Sequence, residues 1–122
     1  MSTNLAASPD ASRQDRALTG TKQRFVVTLY DAACSSLEAV ADAMRAGDLG
    51  ASRAALRRAE AIVAHLQRTL DVDQDVGQSL MTIYVFCRRQ LERGRIDGDP
   101  DKIDDVRRVL CQLRDAWAGV CP

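Results

Sequence analysis

The chain has 122 residues, enough to form one domain around a single hydrophobic core but too few for two. Seventeen basic and seventeen acidic residues cancel to a formal net charge of zero. Because nucleic-acid binders usually carry a basic excess, this balance argues against a DNA- or RNA-binding protein. The sequence contains no secretory signal and no apolar run of about 18 residues, so we expect a cytoplasmic protein with no membrane insertion.

The N-terminal segment 1–20 is rich in Ser, Asp, Ala and Arg and shows no sustained apolar periodicity. We expect it to form a mobile arm with a short helical stretch around Leu18. The first long helix is predicted from Thr21, a good N-cap residue, to about Ala46, because apolar residues recur there at helical spacing. Gly47-Asp48 then supplies the turn that ends this helix.

Three further helices are predicted from the same kind of apolar spacing. The second runs roughly from Leu49 to Leu70, and the third runs from about Asp75 to Arg93, with Gly94 at its end or close to it. Pro100 suits the first turn of a fourth helix, because its missing N–H and fixed φ are tolerated there. The apolar stripe of this last helix consists of Ile103, Val106, Leu110, Leu113, Trp117 and Val120.

Together these segments predict an all-α fold. Long helices joined by short turns pack as antiparallel neighbours, and no segment has the alternating pattern of a β-strand. We therefore expect an antiparallel four-helix bundle over residues 21–122, preceded by the mobile N-terminal arm over residues 1–20.

The sequence offers no convincing catalytic or metal-binding motif. The acidic loop 97–101 resembles the start of an EF-hand loop, but Lys102 and Arg108 occupy the positions where that loop needs Gly and Glu. The single histidine, His65, lies five residues after Glu60, which is the wrong spacing for a di-iron bundle site. No nucleophile turn or phosphate-binding loop accompanies it. We therefore expect a protein that is not an enzyme and that binds no metal and no cofactor.

The four cysteines are Cys34, Cys87, Cys111 and Cys121, and their spacing is not that of a zinc site. We expect them to be reduced thiols. Cys34 and Cys87 fall at or beside apolar helix positions, where cysteine usually acts as a small core residue.

Several short strings occur in a fixed order along the predicted helices. They are Leu29-Tyr30-Asp31, Gly47-Asp48, Thr69-Leu70-Asp71, Ile83-Tyr84 with Arg88-Arg89, and Leu113-Arg114-Asp115-Ala116-Trp117. In order and spacing these strings resemble those of the flagellin-specific export chaperone family of bacterial flagellar secretion, FliS. The resemblance covers about Thr21 to Val120, roughly four-fifths of the chain.

The resemblance implies a cytosolic helical chaperone. Such a protein would bind the C-terminal segment of flagellin, prevent its premature polymerisation and help deliver it to the flagellar type III export gate. Two other classes of function stay open on the sequence alone. One is a regulatory helical interaction module, similar to an anti-activator, with a different client. The other is a bundle that self-associates, for example as a weak homodimer.

The candidate client-binding residues fall into four groups. Three aromatic side chains can pack in an interface and still offer a polar atom, although they could equally tie the helices together; they are Tyr30, Tyr84 and Trp117. Four aliphatic residues flank the turn between the second and third helices and are expected to line an apolar groove; they are Leu66, Leu70, Leu80 and Ile83. Leu5 and Leu18 of the arm are expected to occupy this groove when no client is bound. Arg89 is the candidate from the basic pair.

Overall fold

The computed structural model describes residues 9–119, with side chains described from residue 24 onward. This part of the chain forms four α-helices and no strands, which confirms the predicted all-α four-helix bundle. The helices are α1 (Pro9–Arg45), α2 (Leu49–Arg68), α3 (Asp75–Asp97) and α4 (Pro100–Ala118).

The four helices pack as an up-and-down bundle. Within the described residues, α1 packs most extensively against α2 and α4, and α3 packs against the same two helices, so α1 and α3 lie diagonally opposite each other. Each link between consecutive helices is short, as expected for antiparallel neighbours. The C-terminal end of α1 and the α3–α4 turn therefore lie at one end of the bundle, and the α2–α3 loop lies at the other.

The core is built from the apolar faces that the periodicity predicts, with aliphatic side chains and alanine in most positions. Ala33 of α1 and Ala55 and Ala59 of α2 are buried, and small side chains of this kind let helices approach closely. Cys34 and Cys87 are buried as well, which confirms their predicted place in the core. The largest fully buried side chains are Tyr30, Tyr84, Leu37, Leu66, Leu91, Ile103 and Leu110.

The helix termini follow local rules of capping. Gly47 ends α1 with a φ of 75°, a left-handed conformation that glycine adopts without strain. The Asp48 carboxylate then accepts a hydrogen bond from the Ala51 backbone N–H at 3.1 Å and caps α2. Pro100 lies in the first turn of α4, as predicted.

The predicted start of the first helix was wrong. In the structure α1 begins at Pro9 rather than near Thr21, so most of segment 1–20 lies within the helix. Proline suits a first helical position, and the Ala, Arg, Gln and Leu residues that follow extend a helix without needing an apolar face. Once a helix is nucleated, each added residue costs little. The mobility of residues 1–20 stays a prediction.

The third helix extends a few residues further than predicted. Gly94 lies close to its end, which is one of the two predicted alternatives, but α3 continues to Asp97, and Gly98 terminates it with a φ of 62°. Gly94 instead lies where α3 approaches α4, and a Cβ atom there would meet Ile103 Cδ1 at 2.7 Å. Close packing between two helices, rather than a turn, is thus the role of this glycine. The second helix ends at Arg68, which leaves Leu70 in the α2–α3 loop.

Candidate functional site

Two tyrosines meet in the middle of the bundle. The hydroxyl groups of Tyr30 on α1 and Tyr84 on α3 form a hydrogen bond across the core, and both side chains are fully buried. This contact connects the two helices that lie diagonally opposite each other. A buried hydroxyl is costly unless it has a partner, so each tyrosine satisfies the other.

The first and the last of the sequence strings meet beside the tyrosine pair. Arg114 of α4 donates a hydrogen bond to the Asp31 carboxylate of α1 at 3.1 Å. One helical turn further along α4, Trp117 packs against the core and lies beside Tyr30. The Leu29-Tyr30-Asp31 string and the string that ends in Trp117 are therefore two halves of one α1–α4 contact.

The pKa values of both phenols are raised further above neutral pH by their surroundings. Burial raises the pKa of Tyr30, and hydrogen bonding with Tyr84 and Trp117 only partly opposes the rise. Burial raises the pKa of Tyr84 as well, and its hydrogen bond to Tyr30 raises it further. At neutral pH these two side chains carry no charge, so they add none to the surface that a bound molecule would contact.

An apolar cavity of about 190 Å³ opens beside this pair, at the end of the bundle that carries the α2–α3 loop. We call it the tyrosine cavity. All four helices and the loop contribute to its wall. Its lining residues are Val26, Tyr30, Leu66, Thr69, Leu70, Asp71, Gln74, Val76, Gly77, Leu80, Tyr84 and Trp117.

Six of the ten predicted site residues line the tyrosine cavity. They are Tyr30, Leu66, Leu70, Leu80, Tyr84 and Trp117. Ile83 packs partly buried against the core without lining the cavity. Leu5 lies outside the described residues, and for Leu18 only the helical backbone is described, so their predicted place in the groove is untested.

Arg89 lies away from the tyrosine cavity, in an open groove between α2 and α3. This groove is lined by Glu60, Arg88, Arg89, Glu92 and Arg93. Its walls are charged and exposed rather than apolar. A role for Arg89 in client binding stays a prediction, and any such contact would involve a different surface from that of the aromatic residues.

The shape of the tyrosine cavity depends on one glycine. Gly77 is buried in the first turn of α3, against the backbone of the α2–α3 loop. A Cβ atom at this position would lie 1.9 Å from the Asp71 carbonyl oxygen, which is an impossible overlap. Only glycine lets the loop fold back onto α3 and bring Leu70 and Asp71 to the cavity wall.

The rim of the tyrosine cavity exposes apolar surface. Val76 lines the rim with 64 % of its surface exposed. Phe25, on the neighbouring part of α1, is 54 % exposed and makes an edge-to-face contact with His65, their ring centroids 6.2 Å apart. Exposed apolar side chains beside an apolar cavity are typical of surfaces that bind other proteins.

Sequence reasoning missed a second cavity at the opposite end of the bundle. It has a volume of about 340 Å³, an apolar floor and a rim that includes Arg53, Arg57 and Arg95. Its floor includes Val40, Met44 and Leu56, which read in the sequence only as core positions. The sequence signal that could have revealed this cavity is Leu49, an apolar residue that directly follows the Gly47-Asp48 turn. In the structure it is the first residue of α2, and 63 % of its surface is exposed.

The described residues provide neither a metal site nor a membrane span. Among residues 9–119, the side chains described include no group of three or more His, Cys, Asp or Glu placed to hold a metal ion. None of the helices in this part of the chain is long and apolar enough to cross a membrane. What the site does offer is a recess whose wall is mainly apolar.

Comparison with known proteins agrees with the resemblance of the strings. A family model described as flagellar protein FliS matches residues 5–122. The chain is similar to the flagellar secretion chaperone FliS of Bacillus subtilis, with 24 % identity over 107 residues that cover 88 % of this chain and 80 % of the relative. It is also similar to the protein of that name from Salmonella typhimurium, with 23 % identity over 121 residues and coverage of 97 % and 90 %. The corresponding values for the Vibrio cholerae protein of that name are 26 % identity over 82 residues and coverage of 66 % and 60 %. Since the family match spans nearly the whole chain, this chain belongs to the FliS family of flagellar proteins.

Proposed function

We propose that this protein is a cytoplasmic flagellar secretion chaperone. In this role it binds the C-terminal segment of flagellin, prevents premature polymerisation and assists delivery to the flagellar type III export gate. Membership of the FliS family and the names of the three relatives support the chaperone role. The observation that carries the site assignment is the tyrosine cavity, where the family-like strings of α1, α3 and α4 converge.

The size and chemistry of the tyrosine cavity favour a peptide client. Its volume of about 190 Å³ is below the ~300 Å³ at which small-molecule pockets usually begin. It can therefore receive one or two apolar side chains of a longer segment. An amphipathic helix presents such side chains at positions i, i+3, i+4 and i+7, which would place one anchor in the cavity and others on the exposed apolar rim.

Binding of this kind needs no nucleotide. A client whose apolar face is covered by the chaperone cannot use that face to assemble with other copies, and mass action alone maintains the protection. Ordering a flexible client consumes part of the contact energy, so the complex remains reversible and the client can be released for export.

The first test is direct binding. We would titrate the full chain with the last ~50 residues of flagellin from the same organism, a segment about 75 Å long if fully helical, and measure the heat of binding. We expect a one-to-one complex at micromolar concentration or tighter, with a negative heat-capacity change from apolar burial. The absence of binding to this segment, or equal binding to a sequence-scrambled segment, would refute the proposal.

The second test locates the site with a matched pair of variants. Val76 lies on the rim of the tyrosine cavity and Ile96 lies near the opposite end of α3, and their side chains are almost equally exposed at 64 % and 65 %. Neither is a core residue, so Val76→Asp and Ile96→Asp should both fold normally. We expect Val76→Asp to weaken flagellin binding at least tenfold and Ile96→Asp to leave it unchanged. Equal effects of the two variants would mean that the client binds elsewhere.

A further inference from the structure

Two cysteines from different helices lie in contact on one side of the bundle. The Sγ atoms of Cys34 on α1 and Cys111 on α4 are 2.8 Å apart, and the structure has both residues as free thiols. A disulfide bond is about 2.05 Å long, so the two sulfur atoms would need to approach by only about 0.8 Å. The two residues are 77 positions apart in the sequence, and the contact therefore depends on the packing of α1 against α4.

We propose that Cys34 and Cys111 form a redox-sensitive modification site, at which oxidation joins α1 to α4 through a reversible disulfide. The oxidant is a peroxide or a small disulfide such as oxidised glutathione. With a peroxide, one thiol is oxidised to a sulfenic acid and the peroxide is reduced to water. The second thiol then attacks the sulfenic sulfur, and a second water molecule leaves with the proton of that thiol. The net reaction removes two hydrogen atoms from the protein, that is, two protons and two electrons, and the oxidant takes them up.

The surroundings of the two thiols set the order of these steps. Cys111 is partly exposed, whereas Cys34 has only 6 % of its surface exposed. Burial, with a further contribution from the neighbouring Cys111, raises the pKa of Cys34 to about 12. Because the thiolate is the attacking form, Cys34 is a poor first nucleophile. Cys111 therefore meets the oxidant first, and Cys34 is already in contact to complete the disulfide.

The chain supplies its own control in Cys87. This thiol on α3 is fully buried, and burial raises its pKa to about 12, as for Cys34. Within the described residues, however, the only contact between two thiols is that of Cys34 with Cys111. Burial without a neighbouring sulfur should leave Cys87 unreactive, which separates the effect of pairing from the effect of burial.

The test uses the full chain with Cys121→Ser, because Cys121 lies outside the described residues. The protein is treated with hydrogen peroxide or oxidised glutathione, and the products are analysed by intact mass and peptide mapping. We expect the loss of two hydrogen atoms, a Cys34–Cys111 linked peptide, and recovery of the starting mass with dithiothreitol. Cys87→Ala should behave in the same way, whereas Cys111→Ala should not lose the two hydrogen atoms.

Thermal unfolding provides an independent readout. A covalent link between positions this far apart restricts the unfolded chain, so the oxidised protein should unfold roughly 5–15 °C above the reduced protein. Three results would overturn the proposal: no loss of hydrogen, a glutathione adduct on Cys111 that never resolves to a disulfide, or a disulfide that lowers the unfolding temperature. None of these outcomes depends on flagellin binding, so the proposal stands or falls separately from the proposed function.

Discussion

The hydrogen bond between Tyr30 and Tyr84 offers a test of how the centre of this bundle is held together. Both hydroxyl groups are buried, and the described part of the structure leaves neither without a partner. Replacing one tyrosine with phenylalanine keeps the ring but leaves the other hydroxyl without that partner, at a cost of about 1–3 kcal/mol. Replacing both removes the need for a partner, so the double variant should be less destabilised than the sum of the two single variants.

The two single variants should also differ from each other. In Tyr84→Phe, the Tyr30 hydroxyl still lies beside Trp117, whose indole N–H can serve as a donor. In Tyr30→Phe, the Tyr84 hydroxyl loses the only hydrogen-bond partner the structure gives it. We therefore expect Tyr30→Phe to be the more destabilising substitution.

Urea unfolding measures these differences, with Trp117, the only tryptophan in the chain, as the fluorescent reporter and circular dichroism as a second probe. A loss of 2 kcal/mol shifts the midpoint by about 1 M when the slope is about 2 kcal/mol per molar urea. The reasoning would be refuted if both single variants unfolded within ~0.5 kcal/mol of the wild type, or if the double variant lost the full sum of the single effects.

Three further predictions concern stability. Gly77→Ala places a methyl group on the Asp71 carbonyl and should lower the free energy of unfolding by more than ~2 kcal/mol. Gly50→Ala should be neutral or slightly stabilising, because the atom nearest to its new Cβ is 3.8 Å away. Equal effects of the two substitutions in urea unfolding would contradict this prediction. Asp48→Ala removes the cap of α2 and should cost about 1 kcal/mol, while Gln74→Ala, at a terminus without a side-chain cap, should cost much less in the same assay. Burial raises the pKa of Cys87 to about 12 from 9.0, so only the unfolded chain ionises this thiol between those values. The contribution of Cys87 to the free energy of unfolding should therefore be level below about pH 8 and fall as the pH rises above about 9, so Cys87→Ala should reduce the fall in stability above pH 9 by up to about 1.4 kcal/mol per pH unit; an identical slope in wild type and variant would count against the burial argument.

The errors in the sequence analysis show where local reasoning fails. The apolar period began near Thr21, but the helix begins at Pro9, because a helix can continue through polar residues of good propensity. Gly94 was interpreted as marking the end of the third helix or a position close to it; the helix continues past it to Asp97, and the missing side chain of Gly94 admits Ile103. Thr21 is a good N-cap residue and Gly94 is a poor helix former, but the residues before Thr21 and the packing of α3 against α4 decided where these two residues lie in their helices.

Local sequence patterns were sufficient to predict the number of helices, their turns and the composition of the core, because apolar periodicity, caps and turn glycines act over a few residues. They also placed the aromatic and aliphatic residues that line the tyrosine cavity on the correct helices, except Leu70, which lies in the α2–α3 loop. Which of these residues contact one another depends on the packing of the helices. The contacts Tyr30–Tyr84, Cys34–Cys111 and Asp31–Arg114 join positions 54, 77 and 83 residues apart. Such contacts depend on how the helices are rotated and offset against one another. The spacing of residues along one helix does not specify this rotation or offset.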